Sequence, residues 1–202
     1  MPIKMHRRAF LAGAPLVLAA CSGQSVWAPD DVVNNAIYRS EEPTSLTLFT
    51  TKNLGSENGA HTSLLVNASQ RVLFDPAGSF THPVIPERND VLFGMTDDLK
   101  NYYIDFHSRK GFFLVAQKVF VSPELAEMAL RTVMQYGAVS KTGCTRATSS
   151  ILQQLPGFEG IGKTWFPNKL EDDFAEIPGV MTQEFHEDPA IIAARAAATA
   201  GR

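Results

Sequence analysis

From Ser45 to Thr51 (SLTLFTT) polar and apolar residues alternate with the two-residue period of a half-buried strand, and the polar, glycine-punctuated stretch Lys52 to Gly59 reads as a loop. His61 to Val66 and Arg71 to Asp75 are β-rich runs separated by Asn67-Ala68-Ser69-Gln70, which predicts a hairpin. Pro76, Gly78, Pro83 and Pro86 impose an irregular stretch before another short strand candidate at Asp90 to Met95 (DVLFGM). Thr96 suits the N-cap of a helix with Asp97 and Asp98 in its first turn, where negative charge complements the free N–H groups. Leu99, Tyr102, Tyr103 and Phe106 give that helix one apolar face. Phe112 to Val121 (FFLVAQKVFV) is the strongest strand candidate by its β-branched and aromatic content. Ser122-Pro123 joins an N-cap to a first-turn proline, Leu125, Ala129, Val133 and Tyr136 recur at helical spacing, and Gly137 ends the helix. Glu127 and Arg131 form an i,i+4 pair on its wet side. A last helix runs from about Gly143 to Leu155, with Cys144, Thr148, Ile151 and Leu155 on one face, and Pro156-Gly157 stops it. This order predicts an α+β domain, an antiparallel sheet of about four to six strands packed against helices.

Outside that block the pattern changes. Residues 1 to 20 carry Lys4, Arg7 and Arg8 and then the apolar run Ala9 to Ala20, with no acid, which is the layout of an export signal and too short for a spanning helix. The sequence Leu18-Ala19-Ala20-Cys21 resembles the lipobox of bacterial lipoproteins, which implies cleavage before Cys21, lipid on its sulfur and attachment to a membrane facing the periplasm. His6-Arg7-Arg8-Ala9-Phe10-Leu11 also resembles a twin-arginine signal, so both general and folded-state export remain open. Ser22 stands where an aspartate would resemble an inner-membrane retention signal, which tilts the expectation toward the outer membrane. Residues 21 to 43, rich in Ser, Asp, Asn, Glu and Pro, are expected to be a lipidated N-terminus and tether, 44 to 170 the domain, and 171 to 202 a C-terminal extension with a marginal alanine-rich helix at 189 to 200. Removal of the leader leaves 15 basic against 21 acidic residues, a charge of −6, and no basic stripe for nucleic acid.

Lipidation of Cys21 would leave Cys144 with no disulfide partner in an oxidising compartment, which points to reactivity, burial or intermolecular pairing. At a helix start, free N–H groups favour the thiolate, Gly143 lets backbone approach a substrate, and the N–H of Cys144 or Thr145 could hold an oxyanion. Equally, cysteine is a good small apolar residue for a buried helix face. His61 begins a strand after a Gly59-Ala60 turn. With a hairpin turn centred on Ala68-Ser69, position 61 lies opposite 75 or 76, so Asp75 is placed to orient the imidazole. His82 reads as a solvated loop residue and His107 as a cation complementing a helix C-terminus. His186, between Glu184 and Glu187, matches no zinc spacing, and neither a metal nor a cofactor is expected. Gly157 to Gly162 (GFEGIG) follows a helix and is no phosphate loop, and Trp165, Phe166 and Pro167 are expected to pack on the core or edge a groove.

The order of Gly59-Ala60-His61-Thr62-Ser63-Leu64, Val72-Leu73-Phe74-Asp75 and Thr142-Gly143-Cys144-Thr145-Arg146-Ala147 resembles the permuted papain-like group, which includes permuted NlpC/P60 relatives and lecithin retinol acyltransferase-like enzymes. The resemblance covers residues 45 to 158 and implies Cys144 as nucleophile, His61 as base and Asp75 as orienting residue, with no cofactor. Many permuted members have asparagine where this chain has Gly143. The implied activities are hydrolysis of envelope amide bonds such as those of peptidoglycan peptides, or acyl transfer or thioester hydrolysis on lipids; a catalytically inactive binding lipoprotein is the third possibility.

Overall fold

The computed structural model describes residues 25–190; the leader, Cys21 and residues 191–202 of the alanine-rich tail lie outside them. The elements are α1 (Asp30–Asn35), β1 (Ser45–Asn53), β2 (Gly59–Asn67), β3 (Arg71–Phe74), β4 (Glu87–Arg88), β5 (Val91–Phe93), α2 (Asp97–His107), β6 (Phe112–Phe120), α3 (Pro123–Tyr136), α4 (Cys144–Leu152), α5 (Pro167–Ala175) and β7 (Met181–Phe185). Seven strands form a sheet in the order β4-β5-β3-β2-β1-β6-β7, and every neighbouring pair is antiparallel. The α+β class holds, but the expected four to six strands fall short. β4 is two residues long inside the proline-rich stretch, and β7 (MTQEF) is exposed and shows no apolar alternation.

Strand alternation sends successive side chains to opposite faces, and each face has its own core. Leu46, Leu48, Leu64, Val66, Val72 and Phe74 meet Ala129, Leu130 and Val133 of α3, Ala147, Ile151 and Leu152 of α4, and Leu170 and Phe174 of α5. On the other face Phe49, Leu65, Leu73 and Leu114 meet Tyr103 and Ile104 of α2, with Phe80 and Ile85 from the irregular stretch. Thr96 and Ser122 cap α2 and α3 as expected, accepting from the N–H groups of Leu99 and Leu125. The buried face of α2 is Tyr103 and Ile104, whereas Tyr102 is 43% exposed, so the helix is turned from the expected apolar face. Glu127 makes no ion pair with Arg131; its carboxylate accepts the Ser69 N–H at 2.6 Å and holds the β2–β3 turn against α3. In the β4–β5 hairpin both turn residues, Asn89 and Asp90, take positive φ, 45° and 68°, the geometry that matches strand twist in two-residue turns.

Within the stretch expected to be a tether, α1 buries Val33 in the helix-rich core, and Trp27 forms a β-bridge with Arg88. Arg88 donates to Ala28 O and Asp30 and stacks on the Trp27 ring. In the expected C-terminal extension, α5 crosses residue 170 and β7 pairs with β6 from Leu114↔Phe185 to Lys118↔Met181. No helix among the described residues is long and apolar enough to cross a membrane.

Candidate functional site

β3 ends at Phe74, and its ladder with β2 covers only Leu64 to Asn67. The first residues of β2, including His61 and Thr62, therefore project past β3, and the space it vacates takes the Asp75 turn and the start of α4. The observed ladder centres the hairpin on Ser69, so Asp75 falls opposite Ser63 rather than His61. The sequence register was off by up to two residues, yet the contact forms diagonally: His61 Nε2 and Asp75 Oδ1 are 2.6 Å apart. An irregularity in the β1–β2 register between Thr51 and Lys52, beside the Thr51↔His61 pair, helps aim this part of β2.

Asp75 is almost wholly buried and closely held. Its N–H donates to Asp90 O at 2.8 Å, its carbonyl accepts the Gly78 N–H at 3.0 Å, and Tyr103 Oη lies 2.8 Å from Oδ1. The same Tyr103 oxygen is 2.8 Å from Ser63 Oγ. Burial and the Asp75 charge push the Tyr103 phenol well above its ordinary value, so it keeps its proton. A carboxylate only accepts, so Tyr103 donates to Asp75 and the Ser63 hydroxyl donates to Tyr103. Gly78 closes the far side: a Cβ there would lie 2.0 Å from Asp75 Oδ2. Burial would raise the Asp75 carboxyl, but the His61 charge and hydrogen bond hold it below its ordinary value. Burial likewise works against a charged His61, and Asp75, by charge and hydrogen bond, outweighs it and raises the imidazole to about 10.

With Nε2 given to Asp75, Nδ1 is the His61 nitrogen left for Cys144. Burial raises the Cys144 thiol, but hydrogen bonding to and the charge of His61, the Thr62 N–H and the Thr145 hydroxyl bring it down to about 7. Thr145 Oγ1 lies 3.7 Å from the sulfur and accepts from Thr62 Oγ1 at 3.3 Å, which ties β2 to α4. Cys144 is 8% exposed, but it belongs to neither apolar cluster. Its polar neighbours are the His61 ring, the Thr62 N–H and the Thr145 hydroxyl. No side chain caps α4, so its first N–H groups, at Cys144 and Thr145, are not taken up by a cap.

Gly143 has a packing reason to be glycine. A Cβ there would meet Val139 Cγ1 at 2.7 Å and Ser140 O at 3.0 Å, so the glycine lets the preceding loop fold under α4. Asp90 fixes that loop: its carboxylate accepts the Val139 N–H at 2.7 Å and also bonds the backbone of Ala77, joining the Cys144 loop to the Asp75 turn.

His107 is not the cation expected at a helix end. Burial holds its ring below the ordinary value, Nδ1 lies 2.9 Å from Tyr103 O, and the ring stacks 5.9 Å from that of His61. Ligand atoms of His61, Asp75 and His107 lie within 4.8 Å of one another, the one grouping of metal-capable side chains among the described residues. His61 and Asp75 are bonded to each other there, at 2.6 Å. His82 packs its ring on Tyr102, and His186 bonds Glu184 at 3.1 Å and stacks on Phe113, both away from this cluster. Trp165 and Phe166 are 53% and 71% exposed rather than packed on the core, and Arg146 of α4 lies over the Trp165 ring. Pro167 and Asn168 abut Gly59, whose N–H donates to Asn168 Oδ1 at 2.7 Å.

A cavity of about 360 Å³ opens beside this cluster, bordered by His61 and His107. Sequence reasoning missed Tyr103, Ser63, Gly78, Asp90 and His107. Ser63 alone left a trace, as a polar residue among the apolar positions of a buried strand. No protein-family model, curated protein or solved structure matches the chain.

Proposed function

We propose that the protein is a thiol-dependent acyl hydrolase in which Cys144 is the nucleophile, His61 the acid and base, and Asp75 the residue that orients and charges the imidazole. The observation that carries this reading is the meeting of Cys144, His61 and Asp75 at one end of the sheet, with the thiol brought to about 7 and the ring to about 10. The thiolate attacks an acyl carbon, forming the C–S bond, and the carbonyl electron pair moves to oxygen. The N–H groups of Cys144 and Thr145 at the α4 terminus face that developing charge. Collapse breaks the bond to the leaving amine, which takes its proton from His61. The neutral ring then removes a proton from water, and the hydroxide attacks the thioester, releasing the acid, breaking the C–S bond and restoring the thiolate beside the protonated ring.

The chain order of histidine strand, aspartate and cysteine helix supports membership of the permuted papain-like group. The leader and the lipobox-like Leu18-Ala19-Ala20-Cys21 support an envelope protein anchored by lipid and facing the periplasm, where peptide amide bonds of the wall are the substrates within reach. The test is hydrolysis of a muropeptide mixture by the full-length protein. Release of new amino groups that disappears in Cys144→Ala and in His61→Ala supports the proposal. Equal activity in wild type and Cys144→Ala rejects it.

A further inference from the structure

We propose that the cavity beside His61 is the substrate subsite and that it takes an anionic group, a carboxylate or phosphate carried near the scissile bond. This rests on the thiol-hydrolase reading and adds the class of substrate to it.

The cavity is lined on one side by Thr51, Ala60 and His61 from the β1–β2 end and on another by Ala77 and Gly78 from the turn that holds Asp75. Phe106, His107, Arg109, Lys110 and Phe112 complete it from the end of α2 and the start of β6. At about 360 Å³ it is at the small end of the roughly 300–1,000 Å³ usual for ligand pockets. His61 borders this space and also bonds Cys144, so a group seated here touches the ring that serves the sulfur.

The charge of the lining is one-sided. Arg109 and Lys110 line the cavity and no carboxylate is among its described lining residues, while the charge on His61 is offset by Asp75 at 2.6 Å. The whole chain carries −3, so this patch is not a sample of a generally basic surface. Arg109 stacks on the Phe106 ring and meets Asp105 at 3.6 Å, a pair that solvent weakens on the exposed Asp105 side. The Lys110 backbone N–H donates to Glu187 Oε2 at 3.1 Å. The loop that presents both cations is fixed. Lys110 and Gly111 take φ of 56° and 89°, Gly111 O accepts the Leu54 N–H at 2.8 Å, and Phe112 N–H donates to Arg109 O at 3.3 Å. Two cations on a fixed loop above small and aromatic walls suit a compact anion attached to an apolar stem.

Iodoacetate and iodoacetamide alkylate sulfur by the same displacement, forming C–S and releasing iodide, and differ in charge. Their rates at Cys144, read by mass at that residue in the full-length protein, give a ratio that reports the field of the subsite without knowledge of the natural substrate. The iodoacetate-to-iodoacetamide ratio is expected to fall about tenfold in Arg109→Gln/Lys110→Gln, and to be kept in Arg109→Lys/Lys110→Arg. A ratio within about twofold of wild type in the glutamine variant overturns the proposal, as does an equal fall in the charge-preserving variant. Benzoate and phenyl phosphate separate the two anions: the one that protects Cys144 at lower concentration names the group, whereas equal protection by benzyl alcohol overturns the proposal. Fast alkylation that depends on His61 with an unchanged ratio removes the anion subsite alone. Slow alkylation by both reagents, indifferent to His61→Ala, removes the thiol-hydrolase reading and the subsite with it.

Discussion

At the scale of the residue, Cys144 and His61 are displaced in opposite senses. The thiol falls from 9.0 to about 7, so its contribution to stability is full above 9 and is lost as pH falls through about 7. The ring rises from 6.5 to about 10, so its contribution is full below 6.5 and is lost as pH rises through about 10. Both partners are charged between those limits, and kcat/KM is expected to rise through about pH 7 and fall through about pH 10. A profile with no acid limb near 7 would place the active group elsewhere. Asp75 acts through His61, and Asp75→Asn is expected to lower kcat by about 10²- to 10⁴-fold with KM little changed, because an amide stabilises neither the ring's charge nor its orientation. Tyr103→Phe removes the donor to Asp75 and leaves Ser63 without its acceptor. It should cost about 1–3 kcal/mol in denaturant unfolding, while Phe49→Tyr on the same cluster brings no such partner loss. Gly78→Ala drives a Cβ into the Asp75 carboxylate and should lower the His61 pKa, read by ring NMR shifts.

At the scale of the element, the site is made where strands and helices stop. β3 ends early, β2 runs on, and α4 begins in the gap. Thr142 holds φ 72° to turn the chain into α4, a conformation that glycine adopts without strain. Thr142→Gly is therefore expected to stabilise the fold by about 1 kcal/mol, and Gly143→Ala to destabilise it by about 1–3 kcal/mol through overpacking against Val139, both measured by chemical denaturation. These two neighbours also show what was legible in the sequence. The strands Ser45–Asn53 and Phe112–Phe120 and the capped helices after Thr96 and Ser122 announce themselves through local periodicity and cap chemistry. His61 and Asp75 could be grouped because a hairpin has a countable spacing, whereas Cys144 was joined to them by its place at a helix start and by the resemblance of the chain order to the permuted papain-like group. Tyr103 and His107 could not, since a tyrosine on an apolar helix face carries no mark of the carboxylate it will meet across the sheet. β7 was hidden because an exposed edge strand has no buried face to impose alternation, and α5 because Pro167 opens it with little apolar pattern ahead.

At the scale of the molecule, the sheet separates two cores, and the site lies at the end where both can reach it. α4 brings the thiol from one face and α2 brings Tyr103 and His107 from the other. Arg71 at the opposite end of β3 joins the same parts: it is 1% exposed, bonds Asp97 at the α2 start and Met95 O, pairs with Glu42, and lies over the Tyr38 ring. Arg71→Ala should cost about 2 kcal/mol by thermal or chemical unfolding, less than an orphaned buried ion, because Glu42 and Asp97 remain half in water. The chain from Trp27 to β1 is pinned to this body through Trp27, Arg88 and Val33. All of these features serve a single chemical claim, that the domain makes a thiolate out of a cysteine near neutral pH. The direct measurement is the rate of Cys144 alkylation by iodoacetamide as a function of pH, in wild type and in His61→Ala. The account predicts a midpoint at about pH 7 in wild type, moved above the ordinary thiol value of about 8.5 when the imidazole is removed. A wild-type midpoint at about 8.5 or higher that ignores His61→Ala would contradict it.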